Sequence, residues 1–198
     1  MELWLVRHGL PVRKETGDGT PADPPLSVTG HEQALRLARW IGETPIDRLY
    51  ASPLVRARET AAPLAQMRGL EPDLESGVAE FDRHSSIYVP LEELKQNDYE
   101  AWRALVKTGY GEGTDFESFT RAVVESLSRI VEANRGRRVV VVCHGGVINT
   151  WASHVLGMSP RLFFQPDYTS VNRFLCAGTG ERSIVSLNET AHLDERPD

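Results

Sequence analysis

Apolar residues recur along this chain at two spacings, which predict strands and helices in alternation. Short apolar runs at 2–6, 47–51 and 138–143 have the length of buried strands, and the last is rich in β-branched valine. Apolar positions three and four residues apart predict amphipathic helices. Four such helices are predicted. The first begins after Ser27, and the second runs from Ser52-Pro53 to about Met67 and stops at Gly69. The third covers 115–134, and the fourth extends from Gly146 to Leu156.

Three other segments have weaker patterns. The Gly and Pro residues of 9–26 predict a long loop. Residues 71–78 are predicted to form a further strand. Residues 91–107 have helical spacing, which the sequence Tyr-Gly-Glu-Gly at 110–113 interrupts.

The tail of the sequence has the pattern of a hairpin. Apolar runs at 171–177 and 182–188 flank the turn Gly178-Thr179-Gly180. Together with the earlier segments, this gives strands that alternate with helices. Such alternation predicts an α/β fold, in which ligands bind at the carboxyl ends of the strands.

Length and composition narrow the class of protein. The chain has 198 residues, 40% of them hydrophobic and 25% charged, which is typical of a soluble globular protein. No repeat or low-complexity linker divides it, so 1–198 is predicted to be a single catalytic domain. The net charge of −6 counts against a nucleic-acid partner. A few clustered arginines can still attract a small anion.

The sequence also bears on compartment and redox chemistry. No signal-peptide pattern precedes Arg7, and no apolar stretch approaches the ~18 residues of a membrane span. We therefore expect a cytoplasmic protein without a membrane partner. Cys143 and Cys176 are the only cysteines and do not make a disulfide framework. Cys143 lies in a run of valines and is predicted to be a buried apolar residue.

Polar residues with catalytic potential stand where three predicted strands end. The first strand continues into Arg7-His8-Gly9, the valine-rich strand into His144-Gly145-Gly146, and a third strand leads to Arg56. If these strands are parallel neighbours, two imidazoles and two guanidiniums meet in one crevice. Arginine binds phosphate oxygens through paired hydrogen bonds, and a neutral imidazole can attack phosphorus. The pattern therefore indicates phosphoryl-transfer chemistry.

Each of these short motifs alone also fits an ordinary strand-to-helix turn. Their joint occurrence at strand ends favours a functional site. A hydrolase with a serine nucleophile is disfavoured, because the sequence has no Gly-x-Ser-x-Gly turn. A thiol enzyme is disfavoured because Cys143 and His144 are neighbours on a strand and point to opposite faces.

Four segments, in order over roughly 1–160, resemble the histidine phosphatase superfamily, the phosphoglycerate-mutase-like enzymes. They are Arg7-His8-Gly9, the stretch 23–30 followed by Gln33-Ala34, the stretch 52–57 with Thr60-Ala61, and the stretch 142–148. The stretch 188–193 is also similar to a typical ending of the family. The resemblance implies a three-layer α/β/α fold with a central, mostly parallel sheet.

The resemblance also implies roles for individual residues. His8 would be the phosphorylated nucleophile. Arg7, Arg56 and His144 would hold the phosphoryl group, together with the backbone at Gly145. A carboxylate would protonate the leaving oxygen, and Glu80 is the best match for it.

Several positions remain open. Asp82, two residues from Glu80, is an alternative acid. Many relatives have Glu and then Asn after the first motif, where this chain has Leu10-Pro-Val-Arg13-Lys14. Arg13 or Lys14 is expected either to contact substrate or to be a solvated loop charge. Arg83 is a further candidate for the mouth of the substrate pocket.

The resulting prediction is a metal-independent phosphomonoesterase that acts through a phosphohistidine on a small phosphorylated metabolite. No metal or other cofactor is expected, and a homodimer is one possible assembly. A phosphoglycerate mutase is the alternative, since it uses the same intermediate but must exclude water. A non-catalytic phosphate-binding protein is disfavoured because all four core positions are present. An acid and a base with opposed protonation requirements predict a bell-shaped pH profile.

Overall fold

A computed structural model describes residues 1–108 and 115–194, so the predicted break at 110–113 lies outside the described residues. The strands are β1 (Glu2–Arg7), β2 (Lys14–Glu15), β3 (Arg48–Ala51), β4 (Asp73–Leu74), β5 (Ile87–Tyr88), β6 (Arg138–Cys143), β7 (Val171–Cys176) and β8 (Arg182–Glu189). The α-helices are α1 (Val28–Ile41), α2 (Val55–Arg68), α3 (Leu91–Asn97), α4 (Tyr99–Thr108), α5 (Phe116–Ala133) and α6 (Gly145–Val155).

The centre of the fold is a six-stranded sheet with the order β4-β3-β6-β1-β7-β8. The pairs β3–β4, β3–β6 and β1–β6 are parallel, whereas β7 is antiparallel to both β1 and β8. Arg7 lies opposite Cys143, and Ala51 lies opposite Val142. The carboxyl ends of β1, β3 and β6 therefore meet at one edge, as the sequence predicts.

Side chains alternate between the two faces of this sheet, and both faces are apolar. Helices therefore cover both faces. Leu3 and Leu5 of β1 belong to an apolar cluster that includes residues of α5 and α6. Trp4 and Val6 belong to a second cluster with residues of α1 and α2. The predicted three-layer α/β/α arrangement is confirmed. Cys143 is fully buried, also as predicted.

Several predicted helix ends are confirmed by their capping contacts. The Ser27 hydroxyl accepts a hydrogen bond from the Gly30 N–H at the start of α1. The Asp115 carboxylate accepts one from the Ser118 N–H at the start of α5. Gly69 ends α2 with a φ of 61°, a left-handed conformation that glycine adopts without a side-chain clash.

Two segments with weaker apolar patterns differ from the structures predicted for them. The strand predicted at 71–78 is wrong over most of its length, because only Asp73–Leu74 pair with β3 and Ser76–Val78 form a 3₁₀ turn. The loop predicted at 9–26 contains β2, which pairs with β5 in a separate two-stranded sheet. In the described part of the chain, no helix is long and apolar enough to cross a membrane.

Candidate active site

The two histidines at the strand ends lie side by side. His8 follows β1 and His144 follows β6, and their ring centroids are 5.1 Å apart. Both side chains are buried. The backbone N–H of His8 donates to the Cys143 carbonyl. This hydrogen bond extends the β1–β6 pairing and holds His8 beside His144.

The hydrogen bonding of His8 defines its tautomer. Its Nδ1 lies 2.8 Å from the Gly9 carbonyl oxygen. A carbonyl can only accept, so Nδ1 carries the proton and Nε2 keeps its lone pair. Burial holds the pKa of His8 well below its usual value, and the charges of Arg56 and Arg7 lower it further. His8 is therefore a neutral imidazole with a nucleophilic nitrogen available.

His144 is also kept neutral. Burial, followed by the charge of Arg56, lowers the pKa of His144 well below its usual value. Its Nε2 lies 2.8 Å from the Ser52 hydroxyl, which follows β3. Its Nδ1 is buried and has no hydrogen-bond partner among the described residues. His144 is thus held in place by Ser52 and retains one free ring nitrogen.

Two buried arginines supply positive charge. Arg7 donates to the Pro166 carbonyl at 2.6 Å, and its guanidinium lies 3.8 Å from the ring centroid of Tyr168. Arg56, in the first turn of α2, donates to Asp82 at 3.1 Å. The Nε of each arginine is buried without a partner in the described part of the chain. Both guanidiniums can therefore donate further hydrogen bonds to an anion.

Glu80 is a buried carboxyl group with a raised pKa. Burial, followed by the charge of Asp82, raises the pKa of Glu80 to about 7. Its Oε2 accepts from the Gly146 N–H at 2.9 Å, and its Oε1 accepts from the Phe81 N–H at 3.1 Å. A Cβ at position 146 would lie 2.3 Å from Glu80 Oε1, so this approach requires glycine.

A cavity of about 530 Å³ brings most of the predicted residues together. Its lining includes Arg7, His8, Arg56, Glu80, Asp82 and Gly145. His144 is not part of the described lining and lies against His8 and Ser52. Gly145 opens α6, a helix whose N-terminus favours negative charge. No group of three or more His, Cys, Asp or Glu side chains suited to a metal ion occurs within 1–108 and 115–194.

Three predicted pocket residues lie elsewhere. Arg13, Lys14 and Arg83 do not contribute to the described cavity lining. Arg13 forms an ion pair with Glu93 at 3.2 Å, and Lys14 donates to the Asp23 carbonyl. Arg83 donates to the exposed ring of His84. Nearby carboxylate, carbonyl and imidazole groups bind these cations outside the cavity.

A turn before β7 holds site residues that no sequence motif indicated. The Tyr168 ring lies 5.7 Å from the His8 ring, centroid to centroid. The Thr169 N–H donates to the His8 carbonyl, although Thr169 has a φ of 58°, which is unusual for a β-branched residue. His192 lies 2.9 Å from the Thr169 hydroxyl. This turn therefore supports His8 on the side of β1 where β7 pairs with it.

Comparison with known proteins agrees with this geometry. The model of the histidine phosphatase superfamily (branch 1) matches residues 3–190. The chain belongs to the histidine phosphatase superfamily. The prediction of the family is confirmed, and so is the prediction of a phosphatase, a hydrolase of the histidine phosphatase type.

Individual relatives of this histidine phosphatase cover most of its length. Phosphoserine phosphatase 1 of Hydrogenobacter thermophilus is 28% identical over 98% of this chain and 95% of its own. The adenosylcobalamin/alpha-ribazole phosphatase of Salmonella typhimurium is 31% identical over 80% of this chain and 81% of its own. A solved phosphoserine phosphatase of Entamoeba histolytica has a TM-score of 0.74 at 26% identity, covering 97% of this chain and 98% of its own.

Proposed function

We propose that this protein is a metal-independent phosphomonoesterase that acts on a small phosphorylated metabolite through a phosphohistidine at His8. The observation that carries the proposal is a neutral His8, with Nε2 unprotonated, in one cavity with two buried arginines. The arginines supply the charge neutralisation that phosphoryl transfer needs. His8 supplies a nucleophile, which divides the reaction into two easier steps.

The first step transfers the phosphoryl group to His8. Arg7, Arg56 and the N-terminus of α6 bind the phosphoryl oxygens, and His144 contributes through its free ring nitrogen. His8 Nε2 forms a bond to phosphorus as the bond to the ester oxygen breaks. Glu80, protonated beforehand, gives its proton to that oxygen, and the alcohol leaves. The second step reverses the proton movement: Glu80 takes a proton from water, which attacks phosphorus and releases phosphate from His8.

The contacts favour Glu80 over Asp82 as the acid. Asp82 accepts a hydrogen bond from the buried Arg56 guanidinium at 3.1 Å, and this ion pair occupies its carboxylate. Glu80 has only backbone N–H partners among the described contacts, and its raised pKa allows it to be protonated near neutral pH. Asp82 is assigned the task of holding Arg56 and of raising the pKa of Glu80.

The experiment that tests the proposal is phosphate release from a panel of phosphomonoesters in the presence of EDTA. We expect turnover by the wild type and a loss of at least about 10³-fold in His8→Ala, since the nucleophile itself is removed. A labelled phosphoryl group should be trapped on the wild type after a rapid quench and should be absent from His8→Ala. Activity retained in a clean His8→Ala preparation would overturn the mechanism. Interconversion of 3- and 2-phosphoglycerate without phosphate release would favour the mutase alternative.

A further inference from the structure

Apart from the groups assigned to the reaction, the cavity is lined mainly by apolar side chains. We call six of them the apolar wall. They are Ile87, Leu94, Trp102, Leu162, Phe163 and Phe164. They come from β5, from α3 and α4, and from the segment after α6. A cavity of about 530 Å³ is large enough for a ligand well beyond the phosphoryl group itself.

Asn149 fixes part of this wall to the helix that follows His144. Its side-chain oxygen accepts from the N–H groups of Phe163 at 2.9 Å and Phe164 at 3.3 Å. Its amide nitrogen donates to the carbonyls of Gly145 at 2.9 Å and Phe164 at 3.0 Å. These contacts occupy the whole hydrogen-bonding capacity of a buried amide. Phe163 and Phe164 are therefore held at a set position relative to the phosphate-binding end of the cavity.

The charges in the cavity disfavour a second anionic group on the substrate. Within the described ranges, Arg7 and Arg56 are the only Lys or Arg side chains in the lining. Each already faces a carboxylate, with Arg56 3.1 Å from Asp82 and Arg7 3.7 Å from Glu92. Both are also needed for the phosphoryl oxygens. In the apolar wall, the buried Trp102 Nε1–H is a donor without a partner among the described residues, and one neutral hydrogen bond does not replace the hydration of a carboxylate. A carboxylate on the substrate would therefore lose hydration without gaining a positively charged partner.

From the apolar wall and this charge distribution, we infer that the preferred substrate is a phosphomonoester of a bulky aromatic alcohol that carries no carboxylate. The inference rests on the proposed function, because it concerns the leaving group of the same reaction. The aromatic group packs against Trp102, Phe163 and Phe164, where burial of a ring supplies binding energy. The ester bond that breaks and the proton from Glu80 are those of the first step above.

The test compares esters that differ in the group facing the wall and share a primary alcohol as leaving group. We expect kcat/KM for 3-phenylpropyl phosphate to exceed that for n-propyl phosphate and for O-phosphoserine by at least about tenfold, mostly through KM. Equal or better hydrolysis of O-phosphoserine would overturn the inference and leave the phosphohistidine mechanism standing. If none of these esters is hydrolysed, the proposed function and the inference both fail.

A matched pair of variants tests whether the wall itself sets the preference. Ile87 lines the cavity and is 48% exposed, so arginine can be accommodated there. Val185 of β8 is 47% exposed and does not contribute to the described lining. Ile87→Arg should reduce the preference for 3-phenylpropyl phosphate over O-phosphoserine about tenfold, whereas Val185→Arg should leave the ratio unchanged. An unchanged ratio in Ile87→Arg, or an equal change in both, would overturn the inference.

Discussion

At the scale of single residues, burial moves the pKa values of His8 and Glu80 in opposite directions. Removal from water disfavours the charged form of each group. It lowers the pKa of the imidazole well below its usual value and raises the pKa of the carboxyl to about 7. At a pH below about 7 and above the lowered pKa of His8, His8 is neutral and Glu80 is protonated. This is the pair of states that the proposed phosphorylation of His8 needs.

The pH dependence of turnover follows from these two shifts. Above about pH 7 Glu80 loses its proton, so kcat/KM for an alkyl phosphate should fall on the alkaline side. The acid limb should lie well below the usual pKa of histidine, since His8 is protonated only there. Glu80→Gln should lower kcat/KM by about 10²–10⁴-fold and remove the alkaline limb. The measurement is kcat/KM from acid to alkaline pH for both proteins on one ester.

Two controls distinguish proton donation by Glu80 from the effect of the neighbouring Asp82 carboxylate. Asp82→Asn should keep an alkaline limb, moved to lower pH because a neighbouring negative charge that raises the Glu80 pKa is removed. An ester such as 4-nitrophenyl phosphate, whose leaving group needs no proton, should be far less affected by Glu80→Gln. If Asp82→Asn abolishes the limb and Glu80→Gln keeps it, the acid has been assigned to the wrong carboxyl.

At the scale of elements, α6 organises several parts of the site at once. His144 directly precedes its first turn, the Gly146 N–H donates to Glu80, and Asn149 holds the segment that carries Phe163 and Phe164. A small displacement of this helix would disturb the second histidine, the acid and the apolar wall together. We therefore expect α6 to tolerate little change on the side that faces Glu80.

Two adjacent glycines in α6 make this tolerance measurable. A Cβ at position 146 would lie 2.3 Å from Glu80 Oε1 and 3.0 Å from the Phe81 ring. A Cβ at position 145 meets only Pro166, at 4.0 Å. Gly146→Ala should lower the free energy of unfolding by about 1–3 kcal/mol through this clash. Gly145→Ala should change it by less than about 1 kcal/mol. Thermal unfolding of the two variants compares them, and equal destabilisation would contradict the assigned packing.

Elements with local signals were predictable from sequence, whereas elements defined by their neighbours were not. Ser27 and Gly69 mark helix ends through contacts within a few residues, so these helix ends can be predicted from the sequence. The stretch 91–107 forms two helices rather than one, because Asp98 ends α3 and its side chain accepts from the Ala101 N–H of α4. The apolar spacing continues across that break and conceals it. Similarly, the extent of β4 depends on its neighbour, because Asp73 and Leu74 are the residues of 71–78 that pair with β3.

At the scale of the whole molecule, the same contrast applies to the site. Arg7, His8, Arg56 and His144 could be placed together from sequence because parallel strands bring their ends to one edge. Tyr168 and the apolar wall could not, since their approach depends on β7 returning antiparallel to β1 and on segments without regular spacing. Loop charges were ambiguous because the nearest carboxylate, rather than the site, determined where Arg13 lies.

The folded molecule should lose stability on acidification. Burial lowers the pKa values of His8 and His144 well below their usual value, that of His154 below it, and that of His192 to about 4. Between the usual histidine pKa of about 6.5 and these lowered values, the unfolded chain binds more protons, so stability falls as pH falls. Glu80 acts in the opposite sense between its usual pKa of 4.5 and about 7, but it is one group against four histidines. The melting temperature should therefore be lower at pH 5 than at pH 7.

A variant isolates one contribution to this acid sensitivity. His192→Gln removes the titrating ring while keeping a polar group beside the Thr169 hydroxyl. The decrease in melting temperature from pH 7 to pH 5 should be smaller in this variant than in the wild type. Val28→Gln, at an exposed position of α1 that carries no titrating group, is the control and should keep the wild-type decrease. An unaltered decrease in His192→Gln would show that this ring does not couple to unfolding.

The central position of β1 has a consequence for how the chain reaches its folded state. Its two neighbours in the sheet are β6 and β7, so Glu2 pairs with Arg138 and Leu175. During synthesis, more than a hundred residues must leave the ribosome before β1 meets either neighbour. Contacts so distant in sequence make folding slow. Until then the apolar strand that leads to His8 is an unpaired edge, so prematurely terminated chains should be prone to aggregate and to engage chaperones.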